Sequence, residues 1–147
     1  MSIIYLDTSA LIKRYIQEEG SDELAQWISS ATLTGTATIT YAEMSAALAK
    51  IERMQWVSSD EAYSAWQDFL EDYPFLVSIE ITQAVVVLAG GLAWKHGLRG
   101  YDAVHLAAAL IWQEKIGESV QMATFDKELW KIARKVGLEC LPKDLVS

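Results

Sequence analysis

The sequence predicts an α/β domain in which a mainly parallel sheet of four or five strands is flanked by helices. Three observations predict it. Apolar or β-branched runs of strand length alternate with segments of helix length; the helix-length segments repeatedly start at a hydroxyl or carboxyl side chain; and two consecutive helical segments separate the second strand from the third. The 147 residues suit one domain, large enough to bury roughly 70% of the surface its unfolded chain would expose.

The first strand is Ile3-Ile4-Tyr5-Leu6, closed by Asp7 and followed by Thr8-Ser9 and a helical run from Ala10 to Ile16. Gly20 ends that unit, and Ser21-Asp22-Glu23 opens a helix from Asp22 to Ser30 whose early acids suit its dipole. Thr36-Ala37-Thr38-Ile39 reads as a β-branched strand. Thr40-Tyr41-Ala42-Glu43 has the form of a capping box and begins a helix to about Met54. Ser58-Ser59-Asp60-Glu61 repeats that form and begins a second helix, which ends before Pro74. The third strand spans Leu76 to Ile81, and Thr82 caps an apolar helix that stops at Gly97. Leu98-Arg99-Gly100 leads into a helix from Tyr101 to Glu114, and Val120 to Thr124 forms the next strand. Asp126 caps a last helix to about Val136, and Leu138 to Leu141 is an edge strand.

Composition narrows the function classes. Hydrophobic residues at 52% and charged residues at 22% describe an ordinary globular chain. Cys140 stands alone, so it forms no internal disulfide and reads as a small buried hydrophobe. The longest apolar run, Ala84 to Trp94, is shorter than the about 20 residues a bilayer requires. With Asp7 in the first apolar stretch and no basic leader, the expectation is a cytoplasmic protein with no membrane role. A net charge of −8 argues against nucleic-acid binding by bulk electrostatics. It agrees with a site of clustered carboxylates whose local sign a divalent ion would reverse. No Gly-x-Gly-x-x-Gly follows any strand, which disfavours a nucleotide cofactor.

Asp7 is the most informative residue, because the carboxyl end of a strand is where open α/β sheets build their sites and an acid there is costly to desolvate without a partner. Glu43, Asp102 and Asp126 each stand where a helix begins. Singly, each has a structural explanation: Glu43 closes a capping box, Asp126 is an N-cap, and Asp102 favours a helix N-terminus. Together they form a set of oxygen ligands suited to Mg²⁺ or Mn²⁺. Three such acids at one place also repel each other, so at least one is expected to have a raised pKa.

Four segments make the reading specific: Tyr5-Leu6-Asp7-Thr8-Ser9-Ala10-Leu11, Thr40-Tyr41-Ala42-Glu43, Tyr101-Asp102-Ala103-Val104-His105-Leu106-Ala107-Ala108-Ala109, and Ala123-Thr124-Phe125-Asp126. In that order they resemble the PIN-domain ribonucleases, most closely the toxin subunit of VapBC toxin-antitoxin pairs. The resemblance implies one PIN-like domain over residues 1–147, a three-layer α/β/α sandwich with a helical hairpin inserted between strands 2 and 3. It implies an acidic pocket of Asp7, Glu43, Asp102 and Asp126 holding one or two Mg²⁺ or Mn²⁺ ions, with Thr8, Ser9 and Thr124 in support. It further implies single-stranded or structured RNA as substrate and a cognate VapB-like antitoxin covering the site; the sequence does not fix the oligomeric state, and a homodimer is one assembly it allows.

Lys127, Lys131 and Lys135, with Arg134, give the last helix a basic face, and Lys13, Arg14 and Arg99 lie near the acids in sequence. They are the candidates for RNA contact, against a reading as solvated surface. The six tryptophans and six tyrosines suit a core or a partner groove, with base stacking as the alternative. His105 lies on an apolar helix and is expected to pack in the core rather than take part in catalysis. Two rival functions remain: an aspartyl-phosphate phosphohydrolase, whose second acid would stand where this chain has Ser9, and a catalytically silent RNA-binding or signalling module.

Overall fold

The computed structural model describes residues 1–145. Five strands, β1 (Ile3–Leu6), β2 (Leu33–Ala37), β3 (Val77–Ile79), β4 (Val120–Ala123) and β5 (Glu139–Leu141), form a wholly parallel sheet in the order β3-β2-β1-β4-β5. The helices are α1 (Thr8–Tyr15), α2 (Ser21–Ser30), α3 (Thr40–Arg53), α4 (Ser59–Asp72), α5 (Gln83–His96), α6 (Gly100–Ile116) and α7 (Lys127–Lys135).

β1 takes the centre of the sheet because each of its four residues is apolar and buried, as a strand covered on both faces requires. Its alternation sorts the layers. Ile3 and Tyr5 enter one core with Leu106, Trp112 and Leu129 from α6 and α7. Ile4 and Leu6 enter the other with Leu11, Leu24, Met44, Leu48 and Phe69 from α1 to α4. The result is the three-layer α/β/α sandwich, with α3 and α4 as the hairpin between β2 and β3.

Gly35 explains a close approach of layers. A Cβ on Gly35 would lie 2.8 Å from Trp112 Cη2 and 3.0 Å from the Val77 carbonyl oxygen, so only a bare backbone lets the α6 indole rest on β2. Cys140 is buried as expected, and burial pushes its thiol pKa up to about 11. No helix among the described residues is long and apolar enough to cross a membrane.

Three expected boundaries move, each for a physical reason. The second strand is Leu33–Ala37 rather than Thr36–Ile39, because pairing with β1 sets Ile3 opposite Leu33 and Ile39 turns into the helical region at the start of α3. The third strand shortens at both ends to Val77–Ile79, since Leu76 caps the 3₁₀ turn Tyr73–Phe75 before it and its pairing with β2 ends where Ala37 lies opposite Ile79. Helix α1 begins at Thr8 rather than Ala10, since Asp7 itself caps it.

Candidate acidic site

From β1 the sheet is built outward in both directions, to β2 on one side and β4 on the other. The carboxyl ends of β1 and β4 therefore flank the switch point at which parallel α/β sheets leave a crevice. Asp7 follows β1, and Thr124-Phe125-Asp126 follows β4.

Asp7 is 3% exposed and its two oxygens are both engaged. Oδ1 accepts from the Ala10 amide at 2.9 Å and from the Ser9 hydroxyl at 2.7 Å, and Oδ2 accepts from the Thr124 hydroxyl at 2.6 Å. Burial raises the Asp7 pKa, against the lowering effects of the His105 charge and of those three donors. The expected rise is present, but its main cause is desolvation and not repulsion among carboxylates. Ser9 Oγ also accepts from the Phe125 amide at 3.0 Å, and Thr124 Oγ1 accepts from the Asp126 amide at 3.1 Å. Ser9 and Thr124 thus bind the loop after β4 to the loop after β1.

Glu43 does not close a capping box. Thr40 is already the first residue of α3, and its hydroxyl is hydrogen-bonded to Thr36 Oγ1 at 2.8 Å. The Glu43 carboxylate turns into the crevice, where Oε1 accepts from the Thr8 hydroxyl at 2.7 Å and from His105 Nε2 at 2.6 Å. Burial pushes Glu43 upward, but the bond from His105, its charge and the Thr8 hydroxyl together hold the carboxyl below its ordinary range.

His105 is buried, as its apolar helix suggested, yet it is more than packing. Its Nδ1 meets the Tyr5 hydroxyl at 2.6 Å while Nε2 holds Glu43. The signal in the sequence was a histidine one turn beyond Asp102 on an otherwise apolar face, since a buried polar ring requires partners.

Asp102 and Asp126 meet through Arg99. Its Nε donates to Asp102 Oδ2 at 3.0 Å and its Nη2 to Asp126 Oδ2 at 3.0 Å. Asp126 also accepts from the Leu129 amide with Oδ1 at 3.0 Å, so it is N-cap and acidic-site member at once. Hydrogen bonds link three of the four acids: Thr124 Oγ1, bonded to the Asp7 carboxylate, accepts from the Asp126 amide, and Arg99 spans Asp126 and Asp102, whereas Glu43 is bonded to Thr8, the residue after Asp7.

In these side-chain positions no three acid, histidine or cysteine side chains among the described residues are grouped to hold a metal ion. The donors nevertheless fit a hard divalent cation in kind, being four carboxylates with hydroxyls behind them. Asp102 and Asp126, whose side chains are 18% and 25% exposed, would have to exchange Arg99 for the ion.

Of the basic candidates, Lys13 pairs with Glu18 at 3.1 Å and lies over the Phe125 ring, and Arg14 pairs with Asp72 at 3.6 Å. Lys127, Lys131 and Lys135 are exposed on α7 and make no ion pair among the described residues.

The profile of the PIN domain matches residues 4–137. The chain belongs to the PIN domain family. It is 32% identical over 146 residues to Ribonuclease VapC49 of Mycobacterium tuberculosis strain H37Rv, a match covering 99% of each chain. The same fold occurs in a toxin-antitoxin complex from Klebsiella pneumoniae, with a TM-score of 0.68, 15% identity, and 97% of this PIN domain and 99% of that chain covered. It occurs again in Mycobacterium tuberculosis VapC20, a sarcin-ricin loop cleaving toxin, with a TM-score of 0.63, 16% identity and coverages of 92% and 95%.

Proposed function

We propose that this PIN domain is a Mg²⁺- or Mn²⁺-dependent ribonuclease, an endonuclease serving as the cytoplasmic toxin of a toxin-antitoxin pair. One observation carries the reading: around the carboxyl ends of β1 and β4 Asp7 and Asp126 share Thr124, Asp126 and Asp102 share Arg99, and Glu43 is held by Thr8, next in the chain to Asp7, and by His105, on the helix of Asp102. VapC-named relatives along the whole chain support it.

Asp7, Glu43 and Asp102 would hold the ion, and Asp126 would bind a second ion or orient a water. When bound, the divalent ion supplies a water of lowered pKa and positive charge beside the scissile phosphate. The chain's own residues do the rest. Ser9, Ala10 and Thr124 hold the Asp7 carboxylate, so no side-chain search precedes binding. Arg99 stands at the rim, 78% exposed at its side chain, where a released guanidinium can meet a phosphate. Lys127 and Lys131 extend positive charge along α7 away from Asp126. A VapB-like antitoxin would cover the acids. The outer face of α5, with Val87 and Trp94 at 64% and 92% exposure, offers apolar surface to a second copy.

The Arg99 fork favours one other reading, since it balances Asp102 and Asp126 without metal, as a catalytically silent RNA-binding module would. The aspartyl-phosphate alternative fares worse, because Asp7 is buried with both oxygens bonded and is a poor nucleophile. Purified protein should cut RNA in Mg²⁺ or Mn²⁺ and stop in excess chelator. Binding without cleavage in either metal would leave the silent module, and cleavage that persists in chelator would remove the metal.

A further inference from the structure

Glu43 Oε1 is the meeting point of two donors, the Thr8 hydroxyl at 2.7 Å and His105 Nε2 at 2.6 Å. A carboxylate oxygen only accepts, so Nε2 carries a proton. When the ring is neutral, Nδ1 is then an acceptor and the Tyr5 hydroxyl 2.6 Å away donates to it; when the ring is charged, Nδ1 donates to the Tyr5 oxygen, and Nε2 keeps its proton towards Glu43 in both states. Neither ring has room to turn. His105 is 2% exposed and Tyr5 is fully buried, and they meet edge to face at 71°. One ring stands on the central strand and the other on α6, both regular elements within the same core. Oε2 of Glu43, by contrast, accepts no hydrogen bond among the described residues. The carboxylate therefore presents one occupied oxygen and one open one.

We propose that Tyr5 and His105 are positioning residues that hold Glu43 as a one-oxygen ligand and so bias the acidic site toward Mg²⁺ or Mn²⁺ over Ca²⁺. The inference rests on the reading of these acids as a divalent-metal site. Its physical basis lies in how the two kinds of ion use carboxylates. Ca²⁺ accepts six to eight oxygens in loose geometry and readily takes both oxygens of one carboxylate, whereas Mg²⁺ requires a near-octahedral shell at short distance. Two hydrogen bonds on Oε1 obstruct the bidentate mode. They also fix the direction of the remaining lone pairs on Oε2, which favours the ion with the stricter shell. The Thr8 hydroxyl alone would do this weakly, because it rotates; the imidazole N–H is held in place by Tyr5.

The test is binding to metal-free, full-length protein in the absence of RNA, by calorimetric titration with Mg²⁺, Mn²⁺ and Ca²⁺. The variants are Tyr5→Phe, which keeps the ring and frees the His105 tautomer, and His105→Leu, which removes the donor. Circular dichroism checks that each is folded. In both variants the ratio of the Ca²⁺ to the Mg²⁺ dissociation constant should fall, by about tenfold in His105→Leu, the scale on which residues behind metal ligands act. Ca²⁺ affinity should hold or rise while Mg²⁺ affinity drops. If both affinities fall in parallel, or the ratio is unmoved, the two residues are structural and the inference is overturned. If the wild type binds no divalent ion, the metal reading falls with it; if the wild type binds and only the ratio fails to move, the metal reading stands alone. Should His105→Leu not fold, Tyr5→Phe carries the titration. The ¹⁵N spectrum of the wild-type His105 ring supplies an independent readout, and a neutral ring protonated at Nδ1 would also overturn the inference.

Discussion

Replacing Asp7 by Asn tests the acidic site through stability, with a sign that separates a functional acid from a structural one. The raised pKa of Asp7 means that the pocket favours the neutral carboxyl, even after the bonds from Ser9, Ala10 and Thr124 are counted. Asparagine is a neutral side chain of the same shape and an equally good N-cap. Its oxygen keeps the Ala10 amide and the Ser9 hydroxyl. Its amide faces Thr124 Oγ1, whose own proton can turn to Ser9 Oγ, 3.3 Å away. The second amide hydrogen has no acceptor among these groups and offsets part of the relieved desolvation of the charge, leaving a net gain of about 1 kcal/mol at most. For a chain of this length that raises the melting midpoint by at most about 2–5 °C at pH 7 in chelator.

The pH dependence follows from the same shift. A carboxyl whose folded pKa is raised stabilises the fold below its unfolded pKa of about 3.9, and that contribution is lost as pH climbs through the folded value. The variant and the wild type should therefore melt together below about pH 4 and separate above it. Saturating Mg²⁺ should invert the order, since an ion at a hundred times its dissociation constant stabilises the wild type by about 2.7 kcal/mol and the variant by much less. Scanning calorimetry from about pH 3 to 8 in chelator, and at pH 7 with Mg²⁺, reads all three. A variant that melts lower than the wild type at pH 7 without metal, or that keeps its RNA cleavage, would refute the reasoning.

Arg99→Met should tighten Mn²⁺ binding severalfold at low salt, because it removes a resident cation from Asp102 and Asp126, while weakening binding of an RNA analogue to the metal-loaded protein; calorimetry and fluorescence anisotropy read the two effects. Charge reversal at Lys127, Lys131 and Lys135 should weaken RNA binding and flatten its salt dependence without altering metal affinity, and an unchanged salt slope would mark the α7 face as solvated surface. Gly35→Ala should cost about 1–3 kcal/mol, read as a lower urea midpoint, because the added Cβ collides with Trp112 and the Val77 carbonyl.

The layers were legible because they depend on one-dimensional pattern: β1 as an unbroken apolar run, the α3–α4 hairpin between two strands, and Ser58 as an N-cap accepting from the Glu61 amide. What escaped depends on pairing across the chain. Thr40-x-x-Glu43 has the form of a capping box, yet Thr36 lies beside Thr40 only after β2 enters the sheet, and His105 reaches Glu43 only after α6 packs on β1. Ser58-x-x-Glu61, exposed and far from such partners, keeps the N-cap half of the arrangement that the same letters predict, with Glu61 Oε1 accepting from the Ser58 hydroxyl. Arg99 was legible as a cation near the acids, but its bridge between two of them was not. Its neighbourhood to Asp102 is local, but its bond to Asp126 spans 27 positions and waits on the placing of β4 beside β1.

The four acids are held in two different ways, and the difference bears on how an ion would enter. Asp7 and Glu43 are bound by hydroxyls, an amide and an imidazole, all neutral-capable donors rooted in β1, α1, α6 and the loop after β4. Those donors leave carboxylate lone pairs open and need not leave when a cation arrives. Asp102 and Asp126 are held by a full positive charge on an exposed loop, which competes directly with a cation for the same oxygens. A surface ion pair of this kind is weakly held, so it yields to a divalent ion at modest cost. Its guanidinium is then released at the rim, where a phosphate would approach. On the proposed function, binding of metal and readiness for RNA would be coupled through one side chain, and by linkage an RNA phosphate that captures Arg99 would in turn tighten the metal. That reciprocity can be measured: in the wild type a non-cleavable RNA should lower the Mn²⁺ dissociation constant, and in Arg99→Met most of that effect should vanish. Equal coupling in the two proteins would show that RNA and metal meet directly, with Arg99 a bystander.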